Sequence, residues 1–194
     1  MKIFYAGLAI FLIIGLGYMG ANAIGWPVLL IVGGSGLIGW VCWLKFSFTR
    51  PTPSEIILVP FLLTCGFLML HIVEEYTMNF PLAISQLFHV HFTMATFIYI
   101  FMLAGPAIYF FTAAGLNYHN PLANFIAWFI FIGPGVAEIT HAIFPLIAWA
   151  KGLTDHYAYF PGLYTFYLPM IPGIYGIVRV VKSSRTTQNA GNNG

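Results

Sequence analysis

His71, Glu74 and Glu75 lie close together near the end of an apolar run that begins at Ile56. At spacings of i, i+3 and i+4, a helix carries all three on one face. Ionisable groups inside a membrane segment are costly, and where partners can be named they mark a functional site. Partners are present. Glu138 and His141 repeat the carboxylate–imidazole pairing at i, i+3 in a later apolar run, and His89 and His91 lie between the two. Imidazole and carboxylate together suit a divalent cation such as zinc or iron. Paired Glu-x-x-His motifs on facing helices are also how helical bundles hold two metal ions. The candidate metal ligands are therefore His71, Glu74, Glu75, His89, Glu138 and His141, with Glu75 as the candidate catalytic base. His91 points away from His89 if the segment is helical, so only one of the two is expected to be a ligand.

The composition says what must position these groups. The chain has 194 residues, of which 60% are hydrophobic and 6% charged, against roughly 25% charged in soluble domains. An all-α integral membrane protein follows, because the runs are long and lack the alternation, in segments of about ten residues, of a membrane barrel. The formal charge of +2 is thinly spread, which excludes nucleic acid as a partner. Both cysteines, Cys42 and Cys65, fall in apolar runs and read as small buried hydrophobes.

The apolar runs predict six transmembrane helices in a single domain over residues 1–182, followed by a disordered polar tail over 183–194. The first run, Ile3 to Met19, resembles a signal peptide, with Ala21-Asn22-Ala23 as a cleavage site, but its length favours a retained helix. It contains a literal GxGxxG from Gly15 to Gly20, which without a preceding strand reads as helix packing. Gly25 to Leu44 is the second helix, with a small-residue face that suits a neighbouring helix or another chain. The third spans Ile56 to Met78 and the fourth Gln86 to Thr112, with His89 and His91 at its start. The fifth, Leu122 to Ala150, is expected to kink at Pro134. The sixth is Gly162 to Val181. Asp155, His156 and His119 read as solvated loop residues, and Tyr157 to Tyr167 as an aromatic interface belt.

An even number of helices puts both termini on one side, and basic residues mark the cytoplasmic side. Lys2, Lys45, Arg50, Arg179, Lys182 and Arg185 fall on one face of this topology and only Lys151 on the other. Cytoplasmic termini are expected, in a multi-pass protein of a bacterial cytoplasmic membrane. Of the five acidic residues only Glu55, and of the six histidines only His119, lie outside the outward half. Glu74 and Glu75 also occupy a helix C-terminus, where the macrodipole disfavours negative charge and a cation compensates.

The segment His71-Ile72-Val73-Glu74-Glu75 resembles the signature of the HXXEE family of small multi-helix membrane proteins, and Glu138-x-x-His141 fits a second polar element. The resemblance covers most of the chain and implies a metal-binding membrane protein. Taken together, the residues suggest a membrane metalloenzyme, either a hydrolase or a di-iron oxidoreductase, acting on a lipid-like substrate that enters from the bilayer. The alternatives are a metal-ion or proton carrier using the same residues, haem held between His71 and His141, or a structural membrane subunit.

Overall fold

A computed structural model describes residues 2–192, and the described residues form helices and their connections, without strands. Helix α1 spans Lys2–Ala23, α2 Leu29–Phe46, α3 Ser54–Thr77, α4 Phe80–Phe88, α5 Met94–Asn117, α6 Pro121–Ala150 and α7 Tyr167–Asn192. Five of these, α1, α2, α3, α5 and α6, are long and apolar enough to cross a membrane. Helix α7 stands at the expected sixth position but begins five residues later than the predicted Gly162. It is helical through Asn192, across most of the stretch expected to be a disordered tail, while residues 193 and 194 lie outside the described residues.

The predicted fourth helix, Gln86 to Thr112, is broken near its start: α4 ends at Phe88, having formed mostly from residues 79–85, which read as a turn, and α5 begins only at Met94. Asn79 and His89 both take left-handed backbone angles, at φ 55° each, and bracket the short helix α4. Pro81 suits its first turn, where an amide hydrogen would lack a helical partner anyway. Pro81, Ile84 and Leu87 are its buried face. The chain reverses after α4 through a clamp in which Ser85 Oγ accepts from the Phe92 amide at 3.0 Å and donates to the Phe92 carbonyl at 3.2 Å. Thr93 then caps α5 by accepting from the Thr96 amide at 3.1 Å. Local side-chain bonds of this kind compete with helix continuation, and apolar periodicity does not reveal them.

The core is arranged in two layers along α3. Ile57, Phe61 and Cys65 of its first half pack with Trp43, Phe125, Trp128 and Phe131. Leu68 and Ile72 of its second half pack with Ile84, Leu87, Phe92, Phe97, Phe144 and Phe160. The first layer is closed by a buried polar network. Trp128 Nε1 donates to Ser47 Oγ at 3.0 Å, Ser47 and Thr52 hydroxyls pair at 2.9 Å, and Asn124 Oδ1 accepts from the Thr52 amide at 2.9 Å. This network ties the 47–53 loop to α6. Asn124→Ala strands the Thr52 amide and is expected to cost about 1–3 kcal/mol. Thermal unfolding in detergent reads that loss directly, with no change expected at the far end of α3.

Helix α6 carries the decisive local feature. Gly133-Pro134-Gly135 lies in a π turn, Phe131–Gly135, followed by a 3-10 turn, Val136–Ile139, and then helix again from Thr140. Proline supplies no amide hydrogen, so the regular ladder fails at the predicted place. In a 3-10 turn, side chains three residues apart eclipse one another. Glu138 leaves from this turn and His141 from the first turn of the helix after it, and both reach His71 of α3.

Candidate metal centre

His71 and Glu75 stand on successive turns of α3, buried and facing α6. His141 Nε2 lies 3.4 Å from His71 Nε2 and 3.4 Å from Glu75 Oε1. Glu138 Oε2 is 3.2 Å from His71 Nε2 and 3.0 Å from His141 Nε2, while Glu75 Oε1 is 3.8 Å from His71 Nε2. The two imidazoles thus share an edge flanked by a carboxylate on each side. Glu138 keeps 17% of its side chain exposed, the most open of the four.

Each imidazole is fixed from behind. His141 Nδ1 lies 2.8 Å from the Pro161 carbonyl, which can only accept, so Nδ1 donates and Nε2 turns inward. Thr165 gives its hydroxyl hydrogen to Glu74 Oε2, so the same oxygen accepts from His71 Nδ1 at 2.9 Å. His71 then also presents Nε2 to the centre. Outward Nδ1–H bonds to a carbonyl or a carboxylate relay are the usual support of metal-binding histidines. Phe80 covers one face of His141 at 5.2 Å between centroids, and Phe144 meets its edge at 5.4 Å.

Two inward imidazole nitrogens and two carboxylate oxygens are all acceptors when the histidines are neutral. Their convergence within 3.0–3.8 Å is repulsive without positive charge among them. A second proton on each imidazole supplies that charge, and so does one divalent cation, which would balance the two carboxylates. Ligand atoms about 2.0–2.1 Å from a tetrahedral ion lie about 3.3 Å apart. The buried group His71, Glu75 and His141 has the ligand atoms and mutual distances to hold a metal ion, and Glu138 meets the same imidazoles at shorter range.

Comparison with protein-family models, with curated proteins and with solved structures finds no match.

The structure assigns the other two expected ligands differently. His89, expected at the start of the predicted fourth helix, is exposed at the left-handed end of α4 and is not among the residues brought together. His91, also exposed, lies in the same break. Glu74 projects away from the ligand group and accepts from Tyr159 Oη at 2.7 Å, from the Tyr164 amide at 3.2 Å and from Thr165 Oγ. A helix separates neighbouring residues by about 100°, so Glu74 and Glu75 cannot both face the same point. Asp155, His156 and His119 are exposed, as expected of loop residues.

Sequence reasoning did not find the contribution of residues 157–166. This segment lies against the centre and supplies the Pro161 carbonyl, the Thr165 hydroxyl and the Tyr159 phenol. Burial, and then the hydrogen bond to Glu74, pushes the Tyr159 phenol above its ordinary range. Gly162 has φ +89°, and a Cβ added there would run into both imidazoles. The signal for this turn was the Pro161-Gly162 dipeptide inside the aromatic stretch.

Proposed function

We propose that this chain is a six-span membrane protein with cytoplasmic termini, holding one divalent metal ion, zinc or iron, between α3 and α6 near the outer leaflet, and acting as a metal-dependent enzyme on a lipid-like substrate. One observation carries this reading: both Nδ1–H groups are engaged outward, so two Nε2 atoms and two carboxylates converge on a single point. The HXXEE-like motif points the same way. His71, His141 and Glu138 form the ligand set, two histidines and one carboxylate, a combination used by catalytic zinc and by mononuclear iron. Glu75, farther from His71, is the spare carboxylate that takes a proton from the attacking water. A bound divalent ion supplies polarisation of an ester or phosphoryl oxygen and a lowered water pKa. With Glu74 and His89 outside the group, the residues support one ion and leave a di-iron cluster short of ligands.

The lipid-like substrate is supported by location. His71 lies seventeen residues into α3, about 25 Å along it at 1.5 Å per residue, still inside the apolar span. Ile139 and Ile143, beside Glu138, are exposed on the outside of α6, so acyl chains reach the most open ligand from the bilayer. A haem between the two histidines is disfavoured by their edge-to-face contact at 4.7 Å, which leaves no space for a macrocycle.

Metal analysis of gently purified protein, without chelator or a nickel step, tests the proposal. About one zinc or iron per chain is expected in the wild type. His71→Ala, His141→Ala and Glu138→Gln are expected to lose it, and Glu75→Gln to retain it. Wild-type protein that is folded and still empty after zinc or iron loading would leave the imidazoles to carry the balancing protons and would sink the metalloenzyme.

A further inference from the structure

Three polar groups of one segment converge on a single carboxylate that is outside the ligand group. Tyr159 Oη, the Tyr164 amide and Thr165 Oγ all donate to Glu74. The same Thr165 oxygen holds the Nδ1 proton of His71. Among the described residues the hydrogen-bonded link from Glu74 to the centre therefore runs through Thr165, in the chain carboxylate, hydroxyl, imidazole. The segment it grips packs its backbone onto the other imidazole, through the Pro161 carbonyl and Gly162. One side chain thus controls the orientation of His71 and the seating of the strap that supports His141.

We infer that Glu74 is a positioning residue and the latch of a strap, residues 157–166, which sets how fast the centre exchanges its ion. The inference rests on the metal reading given above and concerns retention at that same site. Its physical basis is that a hydrogen-bonded outer partner fixes ring orientation and basicity, and that losing such a partner typically weakens metal binding about 10–100-fold. Glu74→Gln keeps the shape of the side chain, but its amide nitrogen cannot accept from Thr165. The hydroxyl is then released and the His71 ring loses its fixed acceptor. Thr165→Val removes the same link from the other side, while Thr165→Ser preserves it. Tyr159→Phe loosens only the strap. Because Glu74 is partly exposed, these changes do not open a buried cavity.

The test uses the full-length protein in detergent, loaded with zinc alone. It follows transfer of zinc to a strong chelator and, in parallel, backbone hydrogen exchange over residues 157–166. Glu74→Gln and Thr165→Val are expected to bind one ion, as the wild type does, and to release it about 10–100-fold faster. Thr165→Ser is expected to release near the wild-type rate, and strap amides, that of Tyr164 first, to exchange faster in Glu74→Gln and Tyr159→Phe. A Glu74→Gln protein that is folded but takes up no zinc would make Glu74 a ligand and overturn the inference. Unchanged release together with unchanged exchange would overturn it too. If the wild type itself takes up no zinc, the metal reading fails separately, and the exchange measurement alone decides the latch: wild-type protection in Glu74→Gln refutes it, faster strap exchange upholds it.

Discussion

Gly162→Ala is expected to abolish tight metal binding, although alanine adds a single methyl group to a residue that is itself no ligand. Two effects combine at this position. The backbone has φ +89°, where an L residue costs about 1–2 kcal/mol. The new Cβ would also overlap His141 Nδ1 and stand 2.8 Å from His71 Cε1. Neither imidazole moves without losing the hydrogen bond that holds it from behind, to the Pro161 carbonyl in one case and to Thr165 in the other. The strap must lift or both rings must turn, and either outcome separates the two Nε2 atoms. A loss of zinc affinity on the order of 100-fold or more is expected, in line with or beyond the loss of an outer-shell partner. Gly152→Ala provides the comparison that isolates the clash. Gly152 also has positive φ, +70°, but a Cβ there meets nothing within 4 Å. That variant should lose about 1–2 kcal/mol of stability through the backbone alone and keep its metal. Equal zinc affinity in the two alanine variants would show that the strap does not bear on the centre.

The contrast between these glycines shows what could be read from the sequence. The shared face of His71, Glu74 and Glu75 and the pairing of Glu138 with His141 were legible because helical spacing puts groups three or four apart on one face. The i, i+3 pairing of His71 with Glu74 is not the one the centre uses, which is His71 with Glu75. The kink at Pro134 was legible for a covalent reason, the missing amide hydrogen. The sequence did not reveal that this kink becomes a π turn followed by a 3-10 turn, from which Glu138 projects. Spacing alone also left Glu74 and Glu75 equivalent, although they point about 100° apart on a helix. The distinction came from the strap, whose donors lie some ninety residues away and reach only Glu74. His89 was misplaced for a different reason. Apolar periodicity runs on through residues 86–112, whereas the Ser85 to Phe92 clamp and the left-handed His89 interrupt the helix there. Side-chain to backbone bonds of this kind leave little trace in a hydropathy pattern.

Gly173→Ala is expected to damage the same centre from the opposite side, without adding an atom near it. Helix α7 crosses the π turn of α6 at this residue, packing against α3 as well. A Cβ on Gly173 would lie 3.1 Å from the Gly135 Cα and 3.2 Å from the Phe131 carbonyl oxygen. Both obstacles are backbone, so no rotamer change relieves them, and the two helices must separate by several tenths of an ångström. Close helix contact through small residues is the principal source of packing energy in lipid, where no hydrophobic force draws helices together. Overpacking of this kind costs about 1–3 kcal/mol. The part of α6 that must move runs directly into Val136–Ile139, the turn that carries Glu138. A shift there reaches the carboxylate that lies 3.0–3.2 Å from both imidazoles, and binding geometry is sensitive to displacements of that size. Weaker zinc binding is therefore expected together with a lower unfolding midpoint. Gly66→Ala on α3 is the control, since a Cβ there meets nothing within 4 Å. It replaces a poor helix former in mid-helix and should leave metal binding unchanged while slightly raising stability. Should Gly173→Ala lower the midpoint yet bind zinc as tightly as the wild type, the position of Glu138 would be set by α3 and the strap alone. Loss of both together would tie the centre to the crossing of α6 and α7.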